Sequence, residues 1–244
     1  MNSKREDLVE AAAFNNAAWC DLFARLHEVD GVFEADAWTS RRRTPELYPD
    51  AVTLLPSVDP ASLVSRIDRS PGSSVKDSFA DLDLTPWGFE PLFEASWIHF
   101  SAPIRGTAEA TPLLPVRSEA LLAAWEAAWG ESPIPGRFFP TALLARPDVV
   151  VLAAVRDDFV EAGTILSIGG GAAGVSNLFV TQDALASGSS VSGAFATAGA
   201  IGRAMFPGLP IVGYERGDGL AAAIDAGFEP LGPLAVWLRP TDQR

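Results

Sequence analysis

Three strand-like segments follow one another between residues 149 and 180, and no other feature of the sequence limits the fold as strongly. They are VVVLAAV from Val149, AGTILSI from Ala162 and GVSNLFV from Gly174. Each has the length and the apolar, β-branched composition of a strand. The links between them, VRDDFVE and IGGGAAG, are short. Short links join antiparallel neighbours, so the sequence predicts a meander of three strands.

Helices and further strands are predicted on both sides of this meander from hydrophobic periodicity, capping residues and glycine or proline breaks. The predicted helices cover residues 8–26, 118–130, 191–205 and 218–226, with a short one from Asp59 and a helical turn from Pro140. The other predicted strands are VFEADAW, AVTLLP, PIVGYE, FEPLG and LAVWLR.

Composition limits the partners of the chain. Its 244 residues carry 31 acidic and 18 basic side chains, a formal charge of −13, which repels nucleic acid and anionic membranes. No apolar run approaches the 18 residues of a membrane span, and the N-terminal one is too short for a signal peptide. A single cysteine, Cys20, excludes an intramolecular disulfide. We therefore expect a cytoplasmic protein without nucleic-acid or membrane partners.

The stretch from Ser101 to Arg117 is rich in proline and glycine, and it predicts a connection between an N-terminal module (1–105) and a second domain (106–244). Two short segments occur in both parts. GFEPL begins at Gly88 and Gly227, and GSSV begins at Gly72 and Gly188. Two interpretations are open: the first module is a degenerate, shortened copy of the second, or the matches arise by chance.

The chain resembles the GNAT superfamily of acyl-CoA-dependent N-acyltransferases in three features. They are the order of its elements, the segment ALASGSS after a strand, and the segment AAAIDAGFEPLGPLAVW near the end. The resemblance covers roughly residues 94–239. It implies an α/β (α+β) fold with a mixed, mainly antiparallel central sheet flanked by helices. It also implies acetyl-CoA as the cosubstrate.

In the family, a strand like SNLFV binds the pantetheine arm, and a loop of pattern Arg/Gln-x-x-Gly-x-Gly/Ala binds the pyrophosphate. Leu185 stands at the position of the Arg or Gln, Gly188 matches the first glycine, and Ser190 replaces the second small residue. Backbone donors and the helix dipole can still hold an anion there, although a bare helix cap is the competing interpretation. The cofactor-binding residues that the resemblance implies are Leu178, Phe179, Val180, Leu185, Ala186, Ser187, Gly188, Ser189 and Ser190.

The tyrosine that serves the family as general acid is replaced here by Ala223. Glu215, at the end of PIVGYE, is the candidate general base, and Tyr214 and Ser176 are candidate proton donors. Adjacent strand residues point to opposite faces, so Tyr214 and Glu215 should not both reach the substrate.

The sequence therefore predicts transfer of an acetyl group from acetyl-CoA to a small-molecule or peptide amine, by a chain whose expected assembly is a homodimer. The alternative is a GNAT-like domain that has lost catalysis and binds a ligand or a protein, because Leu185 and Ala223 both lack polar groups that the chemistry uses.

Other motifs give weaker predictions. GGGAAG matches a dinucleotide pattern but leads into a strand, and no G-x-S-x-G elbow is present. His27 and His99 lie too far apart for metal-ligand spacing, so no metal is expected. Arg41, Arg42 and Arg43 could form an anion site, but ion pairs with the acidic excess are the favoured interpretation.

Overall fold

The computed structural model describes residues 2–102, 112–130 and 138–241. The chain divides into two compact units, one formed by Met1–Trp97 with Leu231–Arg244 and the other by Ile98–Pro230. Most of the predicted connection at 101–117, including the predicted boundary between residues 105 and 106, lies outside the described residues. The units are called the N-terminal unit and the second unit below.

The described residues form both helices and strands in each unit. The helices are α1 (Asn2–Leu26), α2 (Pro60–Ser65), α3 (Glu119–Trp129), α4 (Gln182–Ala186), α5 (Val191–Met205) and α6 (Gly217–Asp225). The strands are β1 (Val32–Phe33), β2 (Ala37–Thr39), β3 (Ala51–Thr53), β4 (Ser74–Asp77), β5 (Glu90–Phe100), β6 (Leu114–Pro115), β7 (Val149–Arg156), β8 (Phe159–Gly169), β9 (Ala172–Val180), β10 (Ile211–Glu215) and β11 (Phe228–Leu238).

In the N-terminal unit, β1, β2, β3, β4 and the end of β11 are neighbours in that order. The β3–β4 pair is parallel, and the other pairs are antiparallel. The prediction of one strand for VFEADAW was wrong, because the chain turns at Glu34–Asp36 and β1 pairs back onto β2. The guanidinium of Arg66 holds this turn by binding both carboxylate oxygens of Asp36 at 2.7 and 2.8 Å.

The predicted helix starts are confirmed where a side chain caps them. The carboxylate of Asp59 accepts from the Ser62 N–H at the start of α2, and the Ser118 hydroxyl accepts from the Leu121 N–H at the start of α3. Gly130 ends α3 in the left-handed conformation, with φ 75°.

The second unit contains the predicted meander. β7, β8 and β9 pair antiparallel in sequence order, β6 pairs with the outer edge of β7, and β10 pairs parallel with β9. One core cluster lies between this sheet and α5 and α6, and includes Leu152, Leu166, Phe195, Ala198 and Ala223. The predicted fold class, a mainly antiparallel mixed sheet flanked by helices, is confirmed.

The last part of the chain differs from the prediction. The two predicted strands FEPLG and LAVWLR form one continuous strand, β11, because Gly232 and Pro233 keep an extended backbone and do not form a turn. Among the described residues, no helix is both long and apolar enough to span a membrane.

The two sequence repeats occupy different kinds of position. Gly88 and Gly227 both have positive φ, 78° and 96°, and each leads into an 11-residue strand, β5 or β11. The GSSV segments do not correspond, because the one from Gly72 enters β4 and the one from Gly188 enters α5. The interpretation of the first module as a degenerate copy stays a prediction supported by GFEPL alone.

Candidate functional site

The parallel strands β9 and β10 pair over only two positions before they separate. Ala173 lies opposite Ile211, and Gly174 lies opposite Val212. The strands are still close one residue later, since a Cβ added to Gly213 would lie 2.9 Å from the Val175 carbonyl oxygen. Beyond this point the described strands are not paired with each other, and residues 176–180 of β9 with residues 214–215 of β10 border what we call the β9–β10 opening. Ligands of α/β proteins often bind where parallel strands end and separate.

A β-bulge at Asn177 reorganises β9 at this opening. Gly163 on β8 lies opposite Phe179, and Ile165 lies opposite Ser176, so β9 contains one extra residue. Asn177 has φ 51°, in the left-handed region that asparagine tolerates better than most residues. The bulge was not predicted from the sequence, although an asparagine inside an apolar strand is a sign of it.

The bulge also changes which residues of β9 face the core. Ala173 and Val175 belong to the cluster under α5 and α6, and so do Leu178 and Val180. Without an extra residue, strict alternation would place Asn177 and Phe179 there instead. The bulge therefore turns Phe179 to the opposite face, where its ring lies 5.2 Å from that of Trp125 on α3.

The backbone of the predicted pantetheine strand has hydrogen-bonding groups directed to the opening. The Thr181 N–H donates to the Glu161 carbonyl at 2.8 Å, so Thr181 and Phe179 direct their backbone groups toward β8. Because direction alternates along a strand, Leu178 and Val180 direct theirs away from β8, to the side of the opening. These groups can hydrogen-bond an extended ligand as a neighbouring strand would.

The predicted phosphate loop, Leu185 to Ser190, contains a second helix end. The Ser189 N–H donates to the Ala184 carbonyl and the Gly188 N–H to the Leu185 carbonyl, with Gly188 at φ 97°. These are the two bonds of a Schellman motif that closes α4. The N–H groups of Leu185 and Ser187 also donate to backbone carbonyls, of Thr181 and Asp183. At least four of the predicted backbone donors are therefore already used, and phosphate binding by residues 185–190 stays a prediction.

Further donors lie at the start of α5. Ser190 caps the helix by accepting from the Gly193 N–H at 3.0 Å, and its carbonyl accepts the first helical bond, from Ala194. The N–H groups of Val191 and Ser192 precede that bond and have no partner within the helix. Together with the dipole of a 15-residue helix, they favour an anion. These donors lie just after the predicted loop, Leu185 to Ser190.

The opposite face of the second-unit sheet is covered by aromatic rings from α3 and from Phe138 and Phe139. Trp125 is fully buried and donates its indole N–H to the Leu152 carbonyl at 2.9 Å. The carboxylate of Glu126, also buried, accepts from the backbone N–H groups of Phe138 and Phe139. Glu126 thus holds two aromatic residues against Trp125 and Trp129.

The three catalytic candidates do not share one face. Ile211 belongs to the cluster under α5 and α6, so alternation places Glu215 on that face and Tyr214 on the face of α3. The carboxylate of Glu215 lies over the first turn of α6, where a Cβ on Gly219 would meet its Oε2 at 2.6 Å. Val175 belongs to the same cluster, so Ser176 lies on the face of α3 with Tyr214.

Ala223, at the position of the family's tyrosine, is fully buried in the cluster under α5 and α6. The helix α6 therefore approaches the sheet through a small side chain and provides no hydroxyl group there. The arginine cluster has a structural role in the N-terminal unit: Arg43 pairs with buried Asp50 at 3.2 Å, and Arg42 binds the Glu28 carbonyl. Within the described ranges, no group of three or more His, Cys, Asp or Glu could hold a metal ion.

No family model and no curated protein matches the sequence. Solved structures do match. A GCN5-related N-acetyltransferase from Kribbella flavida is 16% identical and superposes with a TM-score of 0.61, over 94% of this chain and 96% of its own. A putative GNAT acetyltransferase from Novosphingobium aromaticivorans gives 0.60 at 12% identity, over 93% and 98%. The chain has the GNAT fold.

A third structure extends this likeness. A GCN5-related N-acetyltransferase-like protein from Streptococcus suis, 10% identical, gives a TM-score of 0.53 over 97% of this chain and all of its own. These matches cover both units, whereas the sequence resemblance began near residue 94. At such identities the likeness concerns the fold alone.

Proposed function

We propose that the chain is an acyl-CoA-dependent N-acyltransferase that transfers an acetyl group to a small-molecule or peptide amine in the cytoplasm. The observation that carries the proposal is the β9–β10 opening. Backbone groups of Leu178 and Val180 line one side of it, and α5 begins at Val191, shortly after β9 in the sequence. An extended pantetheine arm with a pyrophosphate at one end and a thioester at the other has this distribution of polar groups.

The pyrophosphate, the pantetheine arm and the thioester of acetyl-CoA each have a partner in the proposed complex. The pyrophosphate lies at the Val191 and Ser192 N–H groups, and the pantetheine amides pair with the β9 backbone. A backbone N–H beside the bulge stabilises the negative charge that develops on the thioester oxygen. The amine attacks the thioester carbon directly, without a covalent enzyme intermediate.

The second candidate, a GNAT-fold domain that binds a ligand or a protein without catalysis, is favoured by one observation, the buried Ala223 in place of the family's tyrosine. The enzyme would bind acyl-CoA and turn it over. The non-catalytic domain would show no turnover, and it would bind acyl-CoA only if acyl-CoA is its ligand. A binding measurement followed by an assay of thiol release therefore separates them.

The first test is thermal unfolding with saturating acetyl-CoA, with adenosine as the ligand control that lacks the pyrophosphate. A ligand at about a hundred times its dissociation constant stabilises the native state by roughly 2.7 kcal/mol. We expect this shift with acetyl-CoA and none with adenosine. No shift with acetyl-CoA at high concentration would contradict the proposal.

A pair of glutamate variants tests the location of the pyrophosphate. Ser192→Glu places a carboxylate in the first turn of α5, where it stabilises the helix but repels phosphate. Ala120→Glu is the matched control, because it introduces the same carboxylate at the second position of another serine-capped helix, α3. Both variants should fold, and only Ser192→Glu should lose the acetyl-CoA shift. Equal binding by both variants would place the pyrophosphate elsewhere.

A further inference from the structure

Tyr214 and Ser176 occupy corresponding positions on the two sides of the β9–β10 opening. The parallel register pairs Ala173 with Ile211 and Gly174 with Val212. Continuing it brings Val175 to Gly213, which are still close, and then Ser176 to Tyr214. These two hydroxyl-bearing residues therefore stand where the strands separate.

Both side chains lie on the same face of the sheet. Val175 and Ile211 face the cluster under α5 and α6. Ser176 is one residue after Val175 and Tyr214 is three residues after Ile211, so alternation places both on the face of α3. Glu215 is on the other face, over α6. A pantetheine arm entering from the start of α5 would pass through the opening and present its thioester on the α3 face.

The hydroxyl of Ser176 has an unusual environment. Its Oγ is buried and, within the part of the chain that the structure describes, has no hydrogen-bond partner, although its own carbonyl accepts from Thr164 at 3.0 Å. A buried hydroxyl without a partner costs about 1–3 kcal/mol. A polar group bound at the opening would remove that cost. The hydroxyl without a partner is an observation independent of the strand geometry.

We propose that Tyr214 is the proton donor to the departing CoA thiolate and that the Ser176 hydroxyl hydrogen-bonds the reacting thioester group. This inference rests on the proposed function. In the reaction, the amine nitrogen forms a bond to the acetyl carbon, and the carbon–sulfur bond breaks with its electron pair on sulfur. The phenol O–H of Tyr214 gives its proton to that sulfur, and the tyrosinate regains a proton from the protonated amide-forming nitrogen through solvent.

Ala223 explains why a donor on β10 is needed. The helix position that provides the family's tyrosine is buried and has only a methyl group here. The chain has two tyrosines, Tyr48 in the N-terminal unit and Tyr214 in the second unit. Of these, Tyr214 lies on the strand that borders the opening.

The test compares Tyr214→Phe with the wild-type chain and with Tyr48→Phe, the same change at the other tyrosine. The probe is CoA itself, whose thiol is titrated by ultraviolet absorbance while bound, so that no acceptor amine is required. A phenol that hydrogen-bonds the sulfur stabilises the thiolate. We expect the thiol of CoA bound to wild type or to Tyr48→Phe to have an acid dissociation constant at least tenfold larger than that of CoA bound to Tyr214→Phe.

The outcomes separate the inference from the function on which it rests. Tight CoA binding with identical thiol titration in all three proteins would overturn the role of Tyr214 and leave the proposed function standing. If wild type binds neither CoA nor acetyl-CoA, the role of Tyr214 and the proposed function are both wrong. Where an amine acceptor supports turnover, Tyr214→Phe should lower kcat by about 10²–10⁴-fold with an unchanged KM for acetyl-CoA.

Ser176→Ala tests the second hydroxyl. Removing a buried hydroxyl that has no partner should leave the ligand-free protein at least as stable as wild type, while acetyl-CoA binding weakens several-fold. A loss of stability with unchanged acetyl-CoA binding would show a merely structural role and overturn this part of the proposal.

Discussion

Gly163→Ala should disturb the aromatic layer behind the candidate site. A Cβ at position 163 would lie 2.0 Å from the Trp125 indole nitrogen and 2.6 Å from Cε1 of Phe179. Real Cβ atoms do not approach so closely, so the buried Trp125 ring has to move. Overpacking of this kind costs about 1–3 kcal/mol.

The displacement should also break a hydrogen bond. The Trp125 indole N–H donates to the Leu152 carbonyl in the interior, and leaving such groups without partners costs about 1–3 kcal/mol. With partial relaxation we expect a total loss of about 3 kcal/mol in the free energy of unfolding. For a chain of this length that lowers Tm by roughly 6–12 °C.

The assay is thermal and urea unfolding followed by circular dichroism. Gly232→Ala is the matched control, because Gly232 is also a strand glycine but an added Cβ would meet only Val9, at an ordinary 3.7 Å. Trp125→Phe combined with Gly163→Ala should cost less than the sum of the single changes, since the clashing indole nitrogen is absent. Equal stability of Gly163→Ala and Gly232→Ala would refute the packing argument.

Two further predictions concern the N-terminal unit. The pKa of Asp36 is lowered, first by its hydrogen bond from the Arg66 guanidinium, so this pair contributes stability above the unfolded pKa of about 3.9 that is lost as pH falls through the lower folded value. Urea unfolding should therefore show a larger gap between wild type and Arg66→Gln at about pH 6 than at about pH 3, and a constant gap would contradict the pairing. Burial raises the pKa of the Cys20 thiol to about 11, so a disulfide reagent should label it slowly in the native protein at about pH 8 and rapidly in urea. Fast labelling of the native protein would show that the thiol is accessible.

Local patterns in the sequence were sufficient for most of the secondary structure. Apolar periodicity together with caps such as Ser118 and Asp59 located the helices, because capping is decided by a few neighbouring residues. The meander followed from short links, which leave antiparallel pairing as the available geometry. The sequence did not predict β4, β5, β6 or α4, and it misread the turn at Glu34–Asp36 and the unbroken β11. Partners distant in sequence act at the last two places, since Arg66 binds Asp36 at the turn and the end of β11 pairs with β4.

The composition and motifs of the candidate site could also be read from the sequence, including SNLFV, the altered loop after it and the missing tyrosine at Ala223. Their arrangement could not. Strand alternation alone predicted that Tyr214 and Glu215 lie on opposite faces, but the tertiary structure decided that Tyr214 shares a face with Ser176.

The bulge at Asn177 shows the physical reason. One inserted residue reverses the alternation of β9, and its position becomes definite only in the register of β9 with β8. The sequence by itself determined most of the helices and the β7–β8–β9 meander, because these depend on local conformational preference and short links. Only the tertiary structure decided which hydroxyls meet at the β9–β10 opening, because that depends on how strands from different parts of the chain align.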